Sequence, residues 1–167
     1  NSLEDGFDEN FVRRIVAGYC GLITHTDEQI GLVLKETEAL GLMDDTRIVY
    51  TSDHGEAAGH HGILGKANHY EHALGVPLLV AGPGIPQGRV IDQFPSHVDL
   101  FPTIVEAMGG NSEEDDDDLP GVSLWPAIEG QETARTVFAE YHAMGSRNSS
   151  FTLRDGDFKL IYHVGMD

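Results

Sequence analysis

Arg47-Ile48-Val49-Tyr50-Thr51-Ser52-Asp53-His54-Gly55-Glu56 is the stretch whose reading decides the fold. Arg47 to Tyr50 predicts a short apolar strand, which ends abruptly in a carboxylate, an imidazole and a glycine. In open α/β sheets, ligands gather just beyond the carboxyl ends of strands. An Asp-His pair there offers one oxygen and one nitrogen to a metal ion, and Gly55 lets the chain turn away at once. Further on come Gly65-Lys66 and then Asn68-His69-Tyr70-Glu71-His72, so polar groups are densest in this region.

Toward the amino end, apolar residues recur at Phe11, Ile15, Tyr19, Leu22, Ile23, Ile30, Val33, Leu34 and Leu40. That spacing predicts one helix from about Glu9 to Leu40 with a continuous apolar stripe. Gly18, Gly21 and Gly31 weaken it locally but allow close packing against a sheet, and Gly41 stops it. Asp44-Asp45-Thr46 then turns the chain into the strand, the usual order of an α/β protein.

Toward the carboxyl end, Glu56 to Lys66 is glycine-rich and aperiodic, an irregular loop with a short turn near His60-His61. Asn68 to Leu74 reads as a brief helix and Val76 to Ala81 as a second buried strand, with Pro77 near its start. Gly82 to Gly88 reads as an ordinary loop, because its prolines remove donors that a phosphate cradle would need. Arg89 to Asp92 is predicted as a short strand. Ser96-His97-Val98-Asp99 outlines a capping box, and Pro102 suits the first turn of a helix running to Met108. The acidic run within Asn111 to Asp118 reads as a solvated loop; it lacks the spaced ligands and turning glycine of a calcium loop. Gly121 to Pro126 leads to a helical turn ending near Gly130. Thr136 to Tyr141, Ser150 to Arg154 and Phe158 to His163 read as strands, with Asp155-Gly156 signalling a hairpin.

A chain of 167 residues is long enough for one domain with a sizeable core. A net charge of −18 repels nucleic-acid phosphates and anionic lipid, which argues against a nucleic-acid or membrane binder. An anionic substrate would need a local positive centre, a metal or a lysine. Cys20 is alone, so no intrachain disulfide forms, and its helical setting predicts a packed thiol rather than a nucleophile. No apolar run approaches the roughly 20 residues that span a bilayer. Asn1 to Asn10 is acidic and polar, unlike a signal peptide, and reads as a linker or the middle of a longer chain.

Thr51-Ser52-Asp53-His54-Gly55, Leu64-Gly65-Lys66, Tyr70-Glu71, Val76-Pro77-Leu78, Gly82-Pro83-Gly84 and Val98-Asp99-Leu100-Phe101-Pro102-Thr103 occur in that order. The series resembles the sulfatase family, within the alkaline-phosphatase-like superfamily. Ala17-Gly18-Tyr19 and Asp27 to Gly31 before it, and Glu140-Tyr141-His142-Ala143 and Arg154 to Lys159 after it, are similar to family segments as well. The family's nucleophile, a formylglycine made from a Cys/Ser-x-Pro-x-Arg motif, has no counterpart here, since Cys20 is followed by Gly-Leu-Ile-Thr. The family's early Asp-Asp metal ligands and its mid-chain histidine are missing too. The resemblance therefore implies a fragment or truncated product of a longer enzyme, carrying its later part.

The fold implied is an α/β, alkaline-phosphatase-like fragment: a mixed, mostly parallel sheet with flanking helices and a small C-terminal antiparallel portion. Residues 1–110 would form the later half of the α/β domain, 111–120 an acidic loop and 121–167 the β-rich part. The activity implied is metal-dependent hydrolysis of sulfuric esters, small molecules or glycans, with formylglycine in the missing part. Asp53 and His54 match metal ligands for a calcium-class ion, although an imidazole also suits manganese, zinc or iron. Lys66 matches the catalytic lysine that contacts sulfate and nucleophile, a point charge suited to a tetrahedral anion. His142 is a weaker candidate for substrate binding from the tail, as are His60, His61, His69 and His72 from the loop. Glu71 is expected to hold the loop around Lys66, and His97 and Asp99 to start a helix. A phosphodiester or phosphonate monoester hydrolase of the same superfamily remains open, as does an isolated binding or structural module. A half-covered core would also make the chain self-associate.

Overall fold

The computed structural model describes residues 7–111, 116, 118–131, 135–142 and 148–165. Most of the acidic run, and the first six residues, lie outside them. The chain divides into two compact units, Asn1–Ile85 and Pro86–Asp167.

In the first unit, α1 spans Glu9–Ala39 and opens with an exposed Arg13–Glu9 pair one turn apart. It closes as the sequence predicts. Gly41 takes φ 69°, its N–H bonds the Glu38 carbonyl, and the Leu42 N–H bonds the Thr37 carbonyl. This double bond around a left-handed glycine satisfies carbonyls that a helix end leaves open. No side chain of α1 is fully buried; Leu22, Ile23 and Val33 of the apolar stripe stay exposed. Cys20 is exposed as well, a correction to the packed thiol expected from its surroundings. No described helix is long and apolar enough to cross a membrane.

A 3-10 turn at Met43–Asp45 leads into β1, Ile48–Thr51, which pairs with β2, Leu78–Ala81. The pairing is antiparallel, from Ile48 opposite Ala81 to Thr51 opposite Leu78. The α/β class holds, but strand direction differs from the mostly parallel sheet expected: every described pairing in this chain is antiparallel. The segment between β1 and β2 folds back as loop and short turns instead of a full crossover helix. Within it lie a 3-10 turn, His60–Gly62, and α2, Glu71–Leu74. The buried side chains of this unit, Ala57, His69 and Ala73, sit in the same segment.

In the second unit, a capping box joins Ser96 and Asp99 at the 3-10 turn His97–Asp99, which runs into α3, Leu100–Ala107. Asp99 is completely buried and more than a cap. Its carboxylate accepts the Ser96 N–H, the Val122 N–H at 3.0 Å and the Arg135 guanidinium. One turn on, the buried Thr103 hydroxyl donates to the Asp99 carbonyl and accepts the Leu124 N–H. The Trp125 indole then donates to the Thr103 carbonyl at 3.1 Å. These bonds lace residues 121–125 onto α3 and lead into α4, Trp125–Glu129. Gly121 is forced there, because a Cβ would lie 2.0 Å from the Val98 carbonyl oxygen.

The strand expected at Arg89–Asp92 does not form. Arg89 instead sends its guanidinium to the Ile128 carbonyl at 3.0 Å, satisfying the end of α4. Strands β3 (Val137–Tyr141), β4 (Ser149–Asp155) and β5 (Phe158–Val164) make the expected antiparallel sheet in that order. Asp155 pairs with Phe158 around Gly156 at φ 54°, the tight hairpin foreseen.

Asp99→Ala would remove the buried acceptor of the part-buried Arg135 guanidinium and of two backbone donors, a loss of about 2–3 kcal/mol. Urea unfolding of the variant checks it, and a loss below about 1 kcal/mol would contradict the lacing described.

Candidate functional site

The end of β1 carries the Asp-His pair into a turn whose path is set by backbone contact. The Gly55 N–H donates to the Ala73 carbonyl at 2.8 Å. A Cβ on Gly55 would lie 2.1 Å from the His72 carbonyl oxygen, so only glycine can pass. The Ser52 hydroxyl, 2.9 Å from the His54 carbonyl oxygen, tightens the same turn.

The His54 ring is oriented by its own neighbour, since Nδ1 lies 2.9 Å from the Gly55 carbonyl oxygen. A carbonyl can only accept, so Nδ1 carries the proton and the Nε2 lone pair faces outward. The Lys66 ammonium donates to that lone pair at 2.6 Å. Asp53 Oδ2 stands 3.3 Å from the same Nε2. Asp53, His54 and Lys66 thus meet at one point, with Asp53 exposed and His54 partly so. The His54 N–H bonded to Asp53 Oδ1 at 2.9 Å holds the Asp53 carboxyl below the usual carboxylate range, and the nearby Lys66 ammonium acts the same way.

An oxygen and an imidazole nitrogen bound at about 2.1–2.4 Å to one ion, roughly at right angles, lie about 3.0–3.4 Å apart. The Asp53–His54 spacing fits that requirement, and the carbonyl-bound Nδ1 is the outer support that metal-ligating histidines use. Two donors make an incomplete shell: among the described residues no group of three His, Cys, Asp or Glu side chains could hold an ion.

The remaining candidate histidines have contacts of their own. His60 stacks on His72 at 3.8 Å and His61 on Tyr70 at 4.2 Å between ring centres. His69 is buried. His142 belongs to the second unit, where it meets Glu140 at 3.1 Å and the Phe151 ring. The sequence motif assigns Glu56 no role. Its Oε1 accepts the Gly65 N–H at 2.6 Å and the Ala58 N–H at 2.9 Å, so it holds the loop that precedes Lys66. The available signal was a lone carboxylate opening a loop rich in glycines, whose backbone donors need acceptors.

In an NMR pH titration the Asp53 carboxyl carbon is expected to titrate below the ordinary midpoint of about 3.9. A depressed folded value means that its charge contributes stability above that midpoint and loses it as pH falls through the folded value. A midpoint at or above the ordinary one would contradict the turn geometry.

Two family models match the chain: sulfatase over residues 2–110, and N-sulphoglucosamine sulphohydrolase, C-terminal, over residues 59–166. A choline-sulfatase of Rhizobium meliloti (strain 1021) is 35% identical over 158 residues, covering 95% of this chain and 30% of the relative. A structure solved in complex with its substrate D-glucosamine-2-N,6-O-disulfate superposes with TM-score 0.76 at 30% identity, covering 83% of this chain and 29% of that one. The phosphonate monoester hydrolase of Silicibacter pomeroyi does so at TM-score 0.76 and 31% identity, covering 87% and 32%. The chain spans about a third of the length of these relatives. With the family model matching well over half of its residues, the chain belongs to the sulfatase family of the alkaline-phosphatase-like superfamily.

Proposed function

We propose that this chain supplies the Asp-His-Lys part of a hydrolase of sulfuric esters. The convergence of Asp53 Oδ2, His54 Nε2 and Lys66 Nζ on one point, in a chain of this family, carries the proposal. Asp53 and His54 would hold a divalent ion, of calcium, manganese or zinc class, whose chemistry is to polarise the ester oxygens. The hydrogen-bonded turn keeps Asp53 ionised, and the Gly55 carbonyl keeps the Nε2 lone pair of His54 available. A lone pair serves one partner at a time, so an ion taken by Nε2 frees the Lys66 ammonium for the substrate oxyanion. In a protein of net charge −18 that ammonium is the local attraction a sulfate needs. His142 is a proposed contact to the substrate, a sulfate ester of a small molecule or glycan.

The sulfate substrates of the choline-sulfatase and of the glucosamine disulfate complex support a sulfate ester for this chain. Likeness to a phosphonate monoester hydrolase supports a second reading, hydrolysis of phosphonate or phosphate diesters by the same groups. Turnover of an aryl sulfate beside an aryl phosphonate diester, by the intact enzyme that carries this segment, decides. Activity on the phosphonate with none on the sulfate would reject the first reading. Lys66→Ala is expected to lower kcat/KM on the sulfate by about a hundredfold or more.

The 167 residues contain no Cys/Ser-x-Pro-x-Arg motif, and the described residues offer a two-donor shell, so alone they are expected to show no sulfatase turnover. Metal-dependent hydrolysis by a pure sample of this chain would refute that. The exposed apolar stripe of α1 also predicts self-association, and a strictly monomeric sedimentation profile at high concentration would count against it.

A further inference from the structure

Glu56 stands two residues beyond His54 and takes no part in the chemistry above, yet its carboxylate carries the loop that delivers Lys66. Oε1 accepts the Gly65 N–H at 2.6 Å and the Ala58 N–H at 2.9 Å. Beside it, the Ala57 N–H donates to the Gly65 carbonyl at 3.0 Å. Gly65 is therefore held through both of its backbone polar groups. On the far side, the Lys66 carbonyl accepts the Asn68 N–H at 2.7 Å. The residue that bears Nζ is bracketed by fixed peptide units, so the side chain that reaches His54 Nε2 starts from a fixed backbone anchor.

Two features mark these bonds as more than loop filling. A charged acceptor with so short a bond belongs to the stronger class of hydrogen bonds. The same loop also holds two non-glycine residues in the left-handed region, Ala58 at φ 48° and His61 at φ 55°. Such conformations persist only where the surroundings over-determine them, and they gather at functional sites. For Ala58 the surrounding group is the Glu56 carboxylate bonded to its own N–H.

We infer that Glu56 is a positioning residue for the reaction: by fixing Gly65 it holds Lys66 Nζ at the Asp53–His54 point, and it acts on substrate only through Lys66. This rests on the hydrolase reading above and adds a residue to it. A carboxylate that merely stiffened the loop would affect stability, with or without the lysine.

A double-mutant cycle in the intact enzyme, read as aryl sulfate turnover, separates the two. Glu56→Leu is expected to lower kcat/KM by about tenfold to a hundredfold, mainly through kcat, because a misplaced charge is felt most in the transition state. Glu56→Gln keeps an acceptor oxygen and is expected to restore most of that loss. In a Lys66→Ala background, Glu56→Leu is expected to cost less than about twofold, since residues acting as one unit are not additive. A full Glu56→Leu loss without the lysine would overturn the inference while leaving the hydrolase reading intact. Unchanged turnover in Lys66→Ala alone would instead sink the hydrolase reading, and this inference with it. Should Glu56→Leu fail to fold, the cycle is run with Glu56→Asp, whose shorter side chain withdraws the acceptor from the Gly65 N–H. Coupling to Lys66 then supports the role, and additivity, or no loss at all from Glu56→Asp with Lys66 present, overturns it.

Discussion

The contact between Gly55 and the backbone of His72-Ala73 is the constraint on which the site depends. A strand end is free to send its next residues in many directions; here one hydrogen bond and one close approach remove that freedom. The Gly55 N–H is committed to the Ala73 carbonyl, and no side chain fits at Gly55 against the His72 oxygen. Asp53 and His54 are left on the outside of the turn, while Ala57 and Ala73 pack beneath it with almost no exposure. Their small size is what lets the loop and α2 approach closely. The site therefore rests on backbone geometry and small residues, not on a large apolar core.

Electrostatics follow from that geometry. A chain of net charge −18 is a poor host for an anion, so attraction has to be local and oriented. The loop bonds of Glu56, Ala57 and Asn68 bring one ammonium to the imidazole, and the Gly55 carbonyl decides which imidazole nitrogen meets it. Asp53 stays ionised beside them because a backbone N–H already stabilises its charge.

What the sequence made legible was local. The stop of α1 at Gly41, the capping box at Ser96 and Asp99, the hairpin at Gly156 and the strand running up to Asp53 all depend on neighbours a few residues apart. Asp53, His54 and Lys66 could be named because their spacing resembles a family pattern. What stayed hidden was set across longer separations. Glu56 reaches Gly65 nine residues on, Arg89 reaches Ile128, and Asp99 reaches Arg135. Neither periodicity nor propensity carries such pairings. The exposure of Cys20 escaped for a related cause, since an apolar stripe states what a helix is able to bury, not what covers it.

Two aspartates show how the same side chain is turned to opposite uses. A carboxylate has about four acceptor positions. Asp99 spends them on Ser96, Val122 and Arg135 in a fully buried place, so it holds loops together and has little left to offer a ligand. Asp53 spends Oδ1 on the turn that orients it, through the His54 N–H. Its Oδ2 faces the imidazole nitrogen at 3.3 Å, a separation that suits a shared cation better than a direct bond. Sequence context alone reads Asp53 as a ligand at a strand end and Asp99 as a helix start. Spare acceptor capacity at a solvent-facing point is the physical property that separates the aspartate proposed as a metal ligand from the one that is already satisfied.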